Sequence, residues 1–170
     1  MALDIPGGLF GQEDVRETPV GTSSATVEST TGFTSAARAY RTTSSQTIPT
    51  NTATKIQLNA ESYDGKAEFA SYKFTATDAG YYVVSGQITY PAVPAGKYFD
   101  AQIRLNGTEY CKARIHSGSS SSYNITAVVS DIIYMTAGQY LELYGYHATG
   151  SDEDAEVGTD NTFLAIHRIS

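Results

Sequence analysis

The stretch Asp78-Ala79-Gly80-Tyr81-Tyr82-Val83-Val84-Ser85-Gly86-Gln87-Ile88-Thr89-Tyr90 constrains the fold more than any other part of the chain. An Asp/Gly turn launches a long run of aromatic and β-branched residues. Such side chains are restricted at χ1, resist helix and suit a pleated, half-buried surface. Strand alternation sends Tyr81, Val83 and Ser85 to one face and Tyr82 and Val84 to the other. The preceding run, Tyr72-Lys73-Phe74-Thr75, reads as a second strand joined to it by a tight connection.

The same period continues from Ala36 onward. Ala37-Arg38-Ala39-Tyr40-Arg41 and Thr54-Lys55-Ile56-Gln57-Leu58-Asn59 alternate, the latter ending before the Asp64-Gly65 turn. Tyr98 to Leu105 leads into Asn106-Gly107, a strong two-residue hairpin signal, and Glu109 to His116 returns. Beyond the Gly/Ser-rich segment 117–122, Tyr123 to Tyr134, Gln139 to His147 and Thr162 to Ile169 complete the pattern. Strands at spacings of about 8–12 residues with turn signals between them predict an all-β sandwich or jelly roll.

Residues 1–35 differ. Pro6, Gly7, Gly8, Gly11, Pro19, Gly21 and Gly32 punctuate them, and their apolar residues follow no helical or strand period. Such a segment buries too little apolar area to offset its chain entropy by itself. Two readings stand: a disordered tail, or an extended arm that orders on a partner surface. Leu3, Ile5, Leu9 and Phe10 form an apolar cluster that favours the anchoring arm. The division is thus an arm over 1–35 and a folded head over 36–170.

Composition excludes several function classes. A net charge of −7 argues against binding the phosphate backbone of nucleic acid, which needs clustered Lys and Arg. No apolar run approaches the roughly 18 residues needed to span a bilayer. Met1-Ala2-Leu3-Asp4-Ile5-Pro6 lacks a basic start and an apolar core, so no signal peptide is expected. The single Cys111 excludes an intramolecular disulfide framework and reads as a small strand residue.

Five patterns, in order, resemble the globular heads of the tumour necrosis factor and complement-q superfamily. They are Ala39 with Ile48, Thr54-Lys55-Ile56 and Tyr63-Asp64; then Phe74, Ala79-Gly80-Tyr81-Tyr82 and Ser85-Gly86; then Leu105-Asn106-Gly107. Thr136-Ala137-Gly138-Gln139-Tyr140-Leu141-Glu142-Leu143 and Thr162 to Ile169 complete the set, with Gln139 where an acid is common and Ala165 where the family has Gly. The resemblance implies a ten-stranded antiparallel jelly roll assembled as a homotrimer, with flat aromatic faces around a threefold axis. The thirteen tyrosines give an independent reason, since amphipathic rings are favoured at interfaces. Interface candidates are Tyr72, Tyr82, Tyr98 and Tyr134, together with Tyr140, Tyr144 and Tyr146; the simpler alternative is that most merely cover a sheet face.

Reaction chemistry is sparse. His116, His147 and His167 fall on different predicted strands, without the spacing of a metal site. No nucleophile elbow is present, and Gly7-Gly8-Leu9-Phe10-Gly11 is not a dinucleotide fingerprint, lacking a preceding strand and a following helix. No enzyme is expected and no cofactor is required. Asp152, Asp154, Glu156 and Asp160 crowd one acidic segment that reads as a solvated loop or, alternatively, a Ca²⁺ site without EF-hand spacing.

A trimeric head behind a short anchoring arm suits a bacteriophage structural protein on the virion surface, as a capsid decoration or head fibre. The arm would dock on a capsid or tail protein, and the head would stabilise the shell or attach to a host-surface glycan or receptor. The alternatives are a receptor- or carbohydrate-binding tail-fibre tip and a cellular complement-type ligand or adhesion module. No long repeat precedes the head, which favours decoration over a fibre tip.

Overall fold

The computed structural model describes residues 34–120 and 122–169, so Leu3, Ile5, Leu9 and Phe10 of the expected arm lie outside the described residues. The described chain forms thirteen strands and no helix. In order these begin β1 (Ala36–Arg41), β2 (Gln46–Ile48), β3 (Thr54–Lys55), β4 (Ala60–Asp64), β5 (Phe69–Ala70) and β6 (Lys73–Thr75). The longer strands follow: β7 (Gly80–Val93), β8 (Tyr98–Leu105), β9 (Thr108–His116), β10 (Tyr123–Met135) and β11 (Tyr140–His147). A short β12 (Glu153–Ala155) precedes the closing β13 (Gly158–Arg168).

The count exceeds the expected ten because the chain between β1 and β7 is broken into five short pieces. Thr43, Asn51, Ala67, Ser71 and Tyr72 there adopt positive φ, which is uncommon for side-chain-bearing residues and interrupts a ladder. The predicted run Thr54–Asn59 keeps ladder pairing only at its start. Asn106 and Gly107, with φ of 52° and 80°, make the tight connection between β8 and β9 that the sequence predicts.

Two antiparallel sheets face each other. One has the order β10-β7-β13-β1-β4; the other runs β5-β6-β11-β8-β9, with β3 also paired to β11. β12 pairs separately with β2. The alternation along β7 is realised: Tyr82, Val84 and Ile88 are fully buried between the sheets, while Tyr81 and Val83 are exposed. Phe74, Tyr90, Phe99, Ile103, Leu141 and Leu143 fill the interior with them. Gly86 on β7 admits the other sheet closely, since a Cβ there would stand 2.7 Å from Leu143 Cδ1.

Buried polar groups are tied down individually. Tyr90 donates its hydroxyl to the Asp100 carbonyl at 2.7 Å, and burial raises its pKa far above the usual phenol value. The His147 ring donates from Nε2 to the Ile48 carbonyl at 2.7 Å and packs against the Tyr90–Phe99 pair. Glu68, also buried, accepts from Ser35 Oγ at 2.6 Å and from Thr77 Oγ1 at 2.5 Å, which links the start of β1 to the turn before β7.

Candidate interaction surfaces

The outward face of the five-stranded sheet is built by the register of β10, β7 and β13, the edge strand and the two beside it. Tyr134 of β10 lies opposite Tyr81 of β7, Ile132 opposite Val83, Ser130 opposite Ser85 and Val128 opposite Gln87. β13 continues these rows with His167 beside Val83, Ala165 beside Ser85 and Phe163 beside Gln87. Tyr81, Tyr134, Ile132 and Val128 are each 50% exposed or more, and the Tyr81 and Tyr134 rings meet edge to face at 5.1 Å. Tyr63 of β4 extends the same face at 50% exposure, across from Arg38, whose guanidinium lies 4.3 Å above the Phe163 ring. Small residues hold the centre, leaving a shallow groove between Tyr63, Val83, Ser85, Ala165 and His167. None of the residues in these rows is Asp or Glu, although the chain has 18 of them.

The outward face of the six-stranded sheet is polar and internally paired. Arg114 forks onto Asp100 with Nε and Nη2 at 2.7 and 2.9 Å, and its guanidinium lies 3.9 Å above the Tyr98 ring. The fork raises the Arg114 pKa further, and Asp100 is almost wholly covered. Tyr98 and Tyr146 stack, their rings tilted by 23°. Lys55 pairs with Glu142 at 2.8 Å and Lys112 with Glu109 at 2.9 Å. Arg104 covers Tyr144 at 4.1 Å and Lys73 covers Tyr140 at 4.3 Å.

The tyrosines singled out in the sequence therefore separate. Tyr98, Tyr140, Tyr144 and Tyr146 lie on the polar face under cations or one another, and Tyr72 lies near Lys55, 6.0 Å from its ammonium. Tyr134 lies on the apolar face. Tyr82 is a correction: it is fully buried, packs edge to face on Phe74 at 5.7 Å and donates its hydroxyl to the Asp78 carbonyl at 2.7 Å. It can reach no partner because alternation turns it inward. The residues missed were Tyr63, Tyr81, Val83, Val128 and Ile132. Their signal was present, since Val128, Ser130, Ile132 and Tyr134 share one parity of β10, opposite to Ile125, Ala127, Val129 and Ile133.

The calcium reading is also corrected. The acidic segment is not one loop: Asp154 sits in β12 and accepts from Thr47 Oγ1 at 3.0 Å, while Asp152 accepts from the Thr50 amide at 3.2 Å. Glu156 accepts from Asn124 at 3.2 Å, and Asp160 belongs to β13. Pairing with β2 thus spreads the four carboxylates among different partners. No three His, Cys, Asp or Glu side chains converge among the described residues.

Cys111 on the edge strand β9 is half-buried. Burial, reinforced by the neighbouring Asp131 carboxylate, pushes its thiol up to about 11.

No protein-family model and no curated protein sequence matches the chain. Solved structures do. The Eiger TNF of S. frugiperda superimposes with a TM-score of 0.65 at 12% identity, covering 81% of this chain and 94% of that one. Murine APRIL gives 0.59 at 11% identity, over 80% and 99% of the two chains. The fold is the TNF/complement-q jelly roll. The globular domain of zebrafish complement 1qA has this jelly roll too, with a TM-score of 0.55 at 9% identity over 79% of this chain and 97% of that one.

Proposed function

We propose that this chain is a non-enzymatic homotrimeric attachment module, whose five-stranded sheets pack their outward faces around a threefold axis. The observation that carries the proposal is the carboxylate-free apolar surface of Tyr81, Val83, Ile132 and Tyr134 on a chain of net charge −7. An exposed, contiguous apolar patch on a sheet face marks an association surface. Second and third copies of the chain are its occupants: the polar face already pairs most of its own charges, and the apolar face has aromatic edges with a small-residue centre that a neighbour can enter.

Within this reading the trimer serves a virion as a decoration or head-fibre protein, with residues 1–35 anchoring it to capsid or tail. The apolar cluster Leu3, Ile5, Leu9 and Phe10 supports the arm's role. A ligand or adhesion module is the second reading, favoured by the likeness to a TNF and to a complement 1qA head. Sedimentation equilibrium of the full chain at micromolar concentration tests the assembly: a mass of three chains is expected, and a monomer overturns it. Removal of the arm separates the two roles, since it abolishes particle incorporation only if the arm is the anchor.

A further inference from the structure

We propose that the groove on the outward face of the six-stranded sheet binds an acidic sugar, with Arg104 meeting its carboxylate. The groove holds about 300 Å³ and is lined by the cations Arg104, Lys112 and Arg114, the carboxylates Asp100 and Glu109, and Gln102 and Tyr146, with Glu109 directly across the strand pair from Arg104. That volume lies at the small end of the range for ligand sites, about 300–1,000 Å³, and suits one or two sugar rings better than a peptide.

The charge arrangement selects the ligand. Arg114 is committed to Asp100 and Lys112 to Glu109. Arg104 is the guanidinium left over: among the described residues no carboxylate stands within ion-pair distance of it. Among the described residues its only side-chain bond is from Nη2 to Gln102 Oε1 at 3.2 Å, and its Nε is buried with no partner. Nε is enclosed by protein and out of a ligand's reach, so a carboxylate would pair with the Nη groups through charge-assisted hydrogen bonds. Ring stacking on Tyr144 already holds Arg104, so little side-chain freedom remains to be lost on binding.

The rest of the lining favours a sugar over a simple anion. Gln102 and Asp100 form an almost wholly buried polar floor held by Arg104 and Arg114, and the part-exposed Lys112 and Glu109 are the groups able to meet hydroxyls. Tyr146 supplies an aromatic wall held by its stack with Tyr98. The groove is open, so a single site is weak, and three copies on one assembly would raise the apparent affinity through avidity.

The inference extends the attachment reading, and the two can fail separately. A trimer without sugar binding sinks this site alone, whereas a monomer that binds the sugar sinks the assembly alone. The experiment is an NMR titration of the full chain with 3′-sialyllactose, lactose and sodium acetate as probes. Sialyllactose at millimolar concentration is expected to shift the amides of Gln102, Arg104 and Tyr146, with lactose and acetate giving at least tenfold weaker effects. Arg104→Gln should lower sialyllactose affinity at least tenfold, Arg104→Lys should lose less, and Lys66→Gln, which removes a charge outside the groove, should change nothing. Equal binding of lactose or acetate, indifference to Arg104→Gln in a protein of unchanged melting temperature, or no shift in the wild-type chain each overturns the proposal.

Discussion

The two outward faces of the sandwich carry similar numbers of aromatic rings but handle them in opposite ways. On the six-stranded sheet Tyr98, Tyr140, Tyr144 and Tyr146 lie under cations or one another and the acids between them are paired, so that face is largely satisfied within one chain, Arg104 apart. On the five-stranded sheet Tyr81, Tyr134, Val83 and Ile132 lie exposed beside one another and His167, with no cation over either ring among the described residues. The difference teaches that aromatic content alone does not mark an interface. What marks it is aromatic surface without internal partners.

The largest expected effect comes from charging the apolar face. Ile132→Asp buries an unpaired carboxylate in each copy of the assembly, costing about 3–5 kcal/mol per copy, and should leave a monomer in sedimentation. Tyr144→Glu on the opposite face should leave the trimer intact. If both variants stay trimeric, the contrast between the faces is misassigned.

Breaking the polar face from within should be a smaller effect, confined to folding stability. Arg114→Ala strips the fork from buried Asp100, and because the Arg side chain is 41% exposed the loss should be about 1–3 kcal/mol in chemical denaturation. The oligomeric state should not change. Between the two sheets, Tyr82→Phe removes a hydroxyl bonded to Asp78 and should cost about 1 kcal/mol, again without effect on assembly. A loss of trimer in that variant would return Tyr82 to the interface.

The smallest effect is chemical. Cys111 lies where β9 borders the sandwich, and its raised pKa keeps it a neutral thiol across physiological pH. Thiolate appears only as pH approaches about 11, so iodoacetamide should modify it at pH 8 on the order of 100-fold more slowly than an unhindered cysteine. Fast labelling would mean that this edge opens.

Much of the fold was legible in the sequence. Asn106-Gly107 announced its hairpin, and the parity of β7 separated Tyr81 from Tyr82 correctly. The short pieces between β1 and β7 were harder to see, because Ala67, Ser71 and Tyr72 adopt positive φ without the Gly or Asn that usually signals it. The acidic segment misled for a related reason. Composition reads Asp152 to Asp160 as one solvated stretch, but β12 pairs with β2, far away in sequence, and distributes the acids.

The amino-acid order alone was enough for the all-β class, the Asn106-Gly107 turn and which side chains of each long strand share a face, because alternation is a property of the local backbone. The likeness to solved TNF and complement-q heads agrees with that class. Only the tertiary structure decided which faces lie next to one another. Tyr81 and Tyr134 are 53 positions apart in the chain, and antiparallel register alone makes them one surface. Arg104, Gln102 and Tyr146 become one groove in the same way, since sheet order joins β8 to β11. Period is local and register is not, so the sequence showed the strands while their pairing made the surfaces.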